Sequence, residues 1–158
     1  MAVEIQSIGH CAIAVFDLDI QERFYTDVLG FSRLEKDPDH GGVFLSLPGT
    51  SHAIDLFPAG AMGSGNPASR RSSPLIHIAF RVASYASLRA AYAALREHEI
   101  DIQATIDHMS QRSIYFRDPE GNGLELYYEH PDWVEIFARG RGDQDAPFSF
   151  DDPAPRWE

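Results

Sequence analysis

Cysteine is nearly absent from this chain: Cys11 is the only one among its 158 residues. An intrachain disulfide is therefore excluded, and so are the cysteine-rich ligand sets of closed structural zinc sites. Cys11 lies in an apolar run, where it reads as a small buried hydrophobe. Positive charge is also scarce, with 13 Lys and Arg against 24 Asp and Glu and a formal net charge of −11. A nucleic-acid binder needs a basic face, so that partner is not expected. An anionic membrane surface would repel the chain, and the acidic excess reads as a solubility device. No apolar run approaches the roughly 18 residues of a membrane span. The N-terminus lacks the basic-then-apolar order of a signal peptide. The expectation is a protein of the reducing cytoplasm with no nucleic-acid or membrane partner.

What is present is an ordinary globular balance, 44% hydrophobic and 23% charged, sized for one domain. The chain also repeats itself. GHCAIAV at 9–15 is echoed by IHIAFRV at 76–82, and HAIDLF at 52–57 by NGLELY at 122–127. Aligning His10 with His77 brings Asp55 opposite Glu125 to within a few residues. After the first strand, Asp17 or Asp19 can cap a helix to about Leu29, with Ile20, Phe24 and Val28 as its apolar face and Gly30 as its stop. In the second half Ser84 or Ser87 can cap a helix whose apolar face is Leu88, Tyr92 and Leu95. Three short strands follow each helix: 31–36, 43–47 and 52–57, then 101–106, 112–117 and 123–129. The predicted fold is α+β. Two tandem βαβββ modules, about 5–58 and 74–130, form a curved, cup-shaped mixed β-sheet with helices outside. A Gly/Ser/Pro-rich linker spans 59–73, and an acidic tail with interspersed aromatics covers 131–158.

Strand side chains alternate between faces. Cys11, Ile13 and Val15, then Ile76, Ile78 and Phe80, then Leu124, Leu126 and Tyr128 form apolar sets that belong under the helices. The opposite faces carry His10, Asp55, His77, Tyr115 and Glu125. One histidine on a strand is ordinarily a hydrogen-bonded structural residue. Two at repeat-equivalent positions, sharing a face with a carboxylate, point to a metal, because buried ionisable groups are costly unless paired or ligating. His40, His52, His98 and His130 read as structural or exposed, with His52 on the helix side by parity.

The stretch IDHMSQRSIYFRDPEGNGLELYYEHP at 106–131 resembles the C-terminal motif of type I extradiol ring-cleaving dioxygenases and their single-domain relatives. These sit in the vicinal oxygen chelate superfamily with glyoxalases and the fosfomycin- and bleomycin-resistance proteins. The resemblance covers residues 5–130. It implies that His10, His77 and Glu125 hold one divalent metal, with Fe(II) first and Mn(II), Ni(II) or Zn(II) as alternatives. It also implies catalytic roles for His108 and Tyr115. The larger dioxygenases add a second repeat pair that is absent here, so the tail or a homodimer partner would complete the pocket.

Two histidines and one carboxylate leave about three coordination positions open, room for an aromatic diol and dioxygen. Imidazole titrates near neutrality, which suits His108 to proton handling. Tyr115 can donate a hydrogen bond to a substrate oxygen. The expected activity is an iron-dependent extradiol-type dioxygenase acting on a catechol-like aromatic. The competing readings are a glyoxalase-like isomerase or lyase using Asp55 as a fourth ligand, and a non-catalytic binding or resistance protein. Asp55 is expected near the metal without bonding it.

Overall fold

A computed structural model describes residues 7–50, 52–61, 75–139, 145–154 and 157. The chain divides into two compact units, Met1–Ser73 and Pro74–Glu158. Most of the predicted linker, residues 62–73, lies outside the described residues.

The first unit contains β1 (Cys11–Val15), α1 (Leu18–Arg23), β2 (Ser32–Lys36), β3 (Val43–Ser46) and β4 (Ile54–Pro58). Its sheet order is β1-β4-β3-β2, with β1 parallel to β4 and the other pairs antiparallel. The second unit contains β5 (Ile78–Arg81), α2 (Tyr85–Glu97), β6 (Ile102–Asp107), β7 (Gln111–Arg117), β8 (Gly123–Glu129), α3 (Trp133–Ala138) and β9 (Ala146–Pro147). Its order is β5-β8-β7-β6-β9, with β5 parallel to β8. Each unit therefore contains a strand, a helix and three strands, with β1 beside β4 and β5 beside β8, and the second unit adds α3 and β9. Two mixed, open sheets with helices make this an α+β fold, as the repeat predicts. The helices pack on their own sheets, α1 against β4 and α2 against β8.

Both predicted helix starts are found. Asp17 Oδ1 accepts from the Ile20 amide at 2.9 Å, and Ser84 Oγ accepts from the Ser87 amide at 3.0 Å. The first helix then departs from expectation. It passes into a π-helical turn at Phe24–Val28, where Leu29 N–H donates to the Phe24 carbonyl five residues back at 3.2 Å. Its buried face is Gln21, Phe24 and Tyr25, while Ile20 is 44% exposed. A buried stripe of i, i+3 and i+4 with a polar first member escapes a search for apolar residues alone. Gly30 stops the helix at φ +76°, as expected of a C′ glycine. The second helix lacks such a glycine. Glu99 instead takes φ +57°, and the Ile100 amide returns to the Leu95 carbonyl at 2.9 Å.

Gly123 positions β5 on β8. A Cβ there would stand 2.2 Å from the Ile76 carbonyl oxygen, so this close backbone approach requires glycine. Gly123→Ala is expected to lower stability by about 1–3 kcal/mol, the scale of overpacking against a fixed backbone. The shift of the urea midpoint reads it; an unchanged midpoint would mean that the chain before β5 yields freely.

Candidate functional site

In the second unit the site is built on the β7–β8 hairpin. Asp118 is buried in its turn. Its Oδ1 accepts from the amides of Glu120 at 3.0 Å and Asn122 at 2.8 Å, and its Oδ2 from Asn122 Nδ2 at 2.7 Å. Gly121 supplies the left-handed residue at φ +84°. This Asx-type turn sets the hairpin register, which pairs Tyr115 with Glu125. Parallel pairing of β5 with β8 brings in the chain just before β5, where His77 lies.

Glu125 is 3% exposed, and its two oxygens have separate partners. Oε1 accepts from Gln111 Nε2 at 3.0 Å and from the Tyr115 hydroxyl at 3.2 Å. Oε2 lies 2.9 Å from His77 Nε2. The His77 and Tyr115 rings meet edge to face with centroids 5.5 Å apart. Burial, reinforced by the negative charge of Glu125, pushes the Tyr115 phenol up to about 12. It therefore remains a hydrogen-bond donor throughout the neutral range. His108 follows β6 in a tight turn, with Met109 at φ +66°. Its Nε2 lies 2.9 Å from the Tyr115 oxygen, and its Nδ1 lies 3.1 Å from Asp145 Oδ2. A continuous polar chain thus runs Asp145–His108–Tyr115–Glu125–His77 within one unit.

Further along the same face of β8, burial and then the Glu129 charge raise the Tyr127 phenol above its ordinary value. Glu129 itself pairs with Arg81 at 3.0 Å.

In the first unit His10 lies just before β1, and Asp55 pairs with Ala12 across β1 and β4. Asp55 is 3% exposed. Its Oδ1 lies 2.6 Å from His52 Nδ1, and its Oδ2 lies 3.6 Å from His10 Nε2. The two imidazoles stack at 4.3 Å between centroids. His10, His52 and Asp55 can each offer a ligand atom, all within 4.8 Å of one another. His52 is a correction to the sequence reading, which assigned it to the helix side. The strand begins at Ile54, so alternation does not extend back to residue 52.

The donor set suits a divalent cation. Two ligands about 2.1 Å from a common ion and at right angles to it are roughly 3 Å apart, close to the 2.9 Å between His77 and Glu125. Gln111 and Tyr115 occupy the other carboxylate oxygen and fix the orientation of Glu125. His77 and Glu125 are therefore brought together, with His108 and Tyr115 beside them. His10 is placed with Asp55 and His52 in the first unit. Gln111 was missed, although strand parity puts it on the face of Tyr115. Asp145 was missed because it lies in the tail.

The family model for the Glyoxalase/Bleomycin resistance protein/Dioxygenase superfamily matches residues 7–126. A biphenyl-2,3-diol 1,2-dioxygenase from Rhodococcus globerulus is 29% identical over 125 residues, covering 78% of this chain and 63% of that protein. A catechol-2,3-dioxygenase from Bacillus subtilis is 30% identical over 131 residues, covering 78% of this chain and 42% of its own length. The chain thus spans less than two thirds of either dioxygenase. Among solved structures, a glyoxylase/bleomycin resistance protein/dioxygenase domain from Frankia sp. superposes with a TM-score of 0.67. It is 23% identical, over 81% of this chain and 95% of that one, a likeness of fold.

Proposed function

Because the chain belongs to the Glyoxalase/Bleomycin resistance protein/Dioxygenase superfamily, we propose that it is a metal-dependent extradiol-type dioxygenase that opens the ring of a catechol-like aromatic. His10, His77 and Glu125 are its metal ligands in this reading. The observation that carries it is the chain His108–Tyr115–Glu125–His77. It joins a proton carrier, a neutral hydrogen-bond donor and two ligand-type groups through direct contacts. Similarity to the two catechol-type dioxygenases adds support for the substrate class.

Fe(II) held by this donor set would supply open coordination positions and the redox link between ring and dioxygen. The protein's own groups handle protons and orientation. His108 Nε2 takes a proton from a catechol hydroxyl and returns one later in the reaction. Tyr115, held protonated by its burial, donates to a substrate oxygen as negative charge grows there. Gln111 holds the Oε1 side of Glu125 so that Oε2 stays aimed at the His77 side. The carbon–carbon bond next to the diol breaks, and both oxygen atoms enter the product.

The test is a catechol panel offered to Fe(II)-loaded protein under air, with oxygen uptake and the yellow ring-opened semialdehyde as readouts. One dioxygen consumed per ring opened is expected. Absence of uptake across the panel, with isomerisation of methylglyoxal–thiol adducts, would replace this activity with the glyoxalase-like one. That second reading draws on the 3.6 Å approach of Asp55 to His10, which suits a four-ligand set. X-ray absorption of metal-loaded Asp55→Ala separates the two. An unchanged first shell is expected for the dioxygenase, and loss of one oxygen ligand for the isomerase.

A further inference from the structure

The second unit ends in a C-terminal segment that docks on its own sheet. Its described part pairs with the sheet edge. In β9, Ala146 lies opposite Asp107 and Pro147 opposite Ile106 of β6. The Phe148 amide donates to the Thr105 carbonyl at 3.1 Å, and the Thr105 hydroxyl donates back to the Phe148 carbonyl. Beyond the strand the segment is fastened by a cation–aromatic stack. The Arg112 guanidinium lies 4.3 Å from the Phe148 ring centroid and 5.2 Å from that of Trp157. Asp107 Oδ2 accepts from Arg112 Nε at 2.9 Å and from the Trp157 indole N–H at 3.1 Å. Phe150 stacks on Tyr85 and packs on Tyr92 of α2. Such a combination of strand pairing and desolvated cation–π contacts holds the segment in one register.

That register has a chemical consequence. Extending the pairing of Asp107 with Ala146 by one position sets Asp145 across from His108. The two side chains meet there, with Asp145 Oδ2 3.1 Å from His108 Nδ1. A carboxylate only accepts hydrogen bonds, so Nδ1 must carry the proton. Nε2, facing the Tyr115 oxygen at 2.9 Å, is then the nitrogen that gains or loses a proton: protonated, it donates to that oxygen while the hydroxyl donates to Glu125, and deprotonated, it accepts the hydroxyl proton in place of Glu125.

We propose that Asp145 is a positioning residue. The docked C-terminal strand delivers its carboxylate to His108, fixes the Nδ1–H tautomer and leaves Nε2 as the proton-exchanging atom toward the site. This inference rests on the acid–base role proposed for His108. Its structural half, the tautomer, can be read without turnover. Asp145 is 42% exposed at its side chain and His108 only 15%, so Asp145 can be replaced with little demand on the core.

The experiment uses the full chain labelled with ¹⁵N at histidine, metal-free and zinc-loaded, at mildly alkaline pH. Long-range ¹H–¹⁵N spectra of the parent should show His108 protonated at Nδ1. Asp145→Ala should move His108 toward the Nε2–H form, and Asp145→Glu should restore part of the parent signature. In iron-loaded protein, Asp145→Ala should lower kcat by about 10–100-fold, part of the roughly 10²–10⁴-fold that a positioned acid–base group supplies, with KM and metal content unchanged. An Nε2–H tautomer in the parent, or identical His108 shifts in Asp145→Ala, would overturn the proposal. The expected tautomer change in a protein that opens no catechol would instead retain the positioning contact and remove the ring-cleavage reading.

Discussion

Alanine at His10, His77 or Glu125 is expected to abolish stoichiometric metal binding while the far-ultraviolet circular dichroism stays that of the parent. The case is strongest for Glu125. Its carboxylate is buried, it accepts from Gln111 and Tyr115 on Oε1, and its Oε2 lies 2.9 Å from His77 Nε2. Removing it takes away the anionic donor and leaves Gln111 and Tyr115 without their acceptor. Glu125→Gln is the companion variant, because it keeps the shape and loses the charge. Loss of an outer-shell partner typically costs about 10–100-fold in metal affinity or activity, which is the effect expected of Gln111→Ala. A direct ligand should cost more, since only two of three protein donors would remain. Elemental analysis of protein purified without oxygen measures occupancy. Full occupancy in any one of the three variants would remove that residue from the ligand set.

His10 makes this test discriminating. In the first unit its Nε2 faces Asp55 at 3.6 Å, and its ring stacks on His52. If His52→Ala or Asp55→Ala emptied the protein of metal while His77→Ala did not, the ion would belong to His10, His52 and Asp55. The triad would then be wrong. The expected order is the reverse. Asp55 is engaged by His52 at 2.6 Å as Glu125 is by Gln111 and Tyr115, so hydrogen bonding does not distinguish the two carboxylates and the metal content of the variants does.

The repeat made the topology legible before any coordinates. Two similar strands, each followed by a capped helix and three short strands, allow few arrangements, and the parallel pairing of the first strand with the third strand after the helix appears in both units. Tyr115 and Glu125 were legible for the same reason, since alternation along β7 and β8 is regular and their turn is written in Asp118 and Gly121. What escaped the sequence lay where periodicity stops. His52 precedes its strand, so its direction depends on the local path of the chain. Gln21 takes a core position that polarity argues against, and a π-helical turn follows it. Asp145 gains meaning only through the pairing of β9 with β6, a register set by Arg112, Phe148 and Trp157 rather than by any pattern near residue 145. Long-range contacts of this kind have no period to detect.

His108→Phe is expected to slow ring opening by about 10²–10⁴-fold with metal content retained, the scale of a lost acid–base group. Phenylalanine keeps a planar ring against Tyr115, whose centroid lies 6.0 Å from that of His108, so packing is largely preserved while both ring nitrogens vanish. The substrate then loses its nearest proton acceptor. The Tyr115 phenol cannot replace it, because burial and Glu125 hold its proton firmly at a value of about 12. Tyr115→Phe should therefore cost less than His108→Phe. It removes one donor, whose single proton rests on Glu125 Oε1 and turns to the developing charge in the reaction, and Gln111 remains as donor on that carboxylate. The pair of effects is informative because the two side chains touch. If His108 acts through Tyr115, the double variant should be little slower than His108→Phe alone; independent roles would multiply the losses. Single-turnover measurements under air, with iron assayed in each variant, give the comparison. Equal rates for His108→Phe and the parent would remove His108 from catalysis. They would leave Asp145 holding an imidazole that serves only the fold.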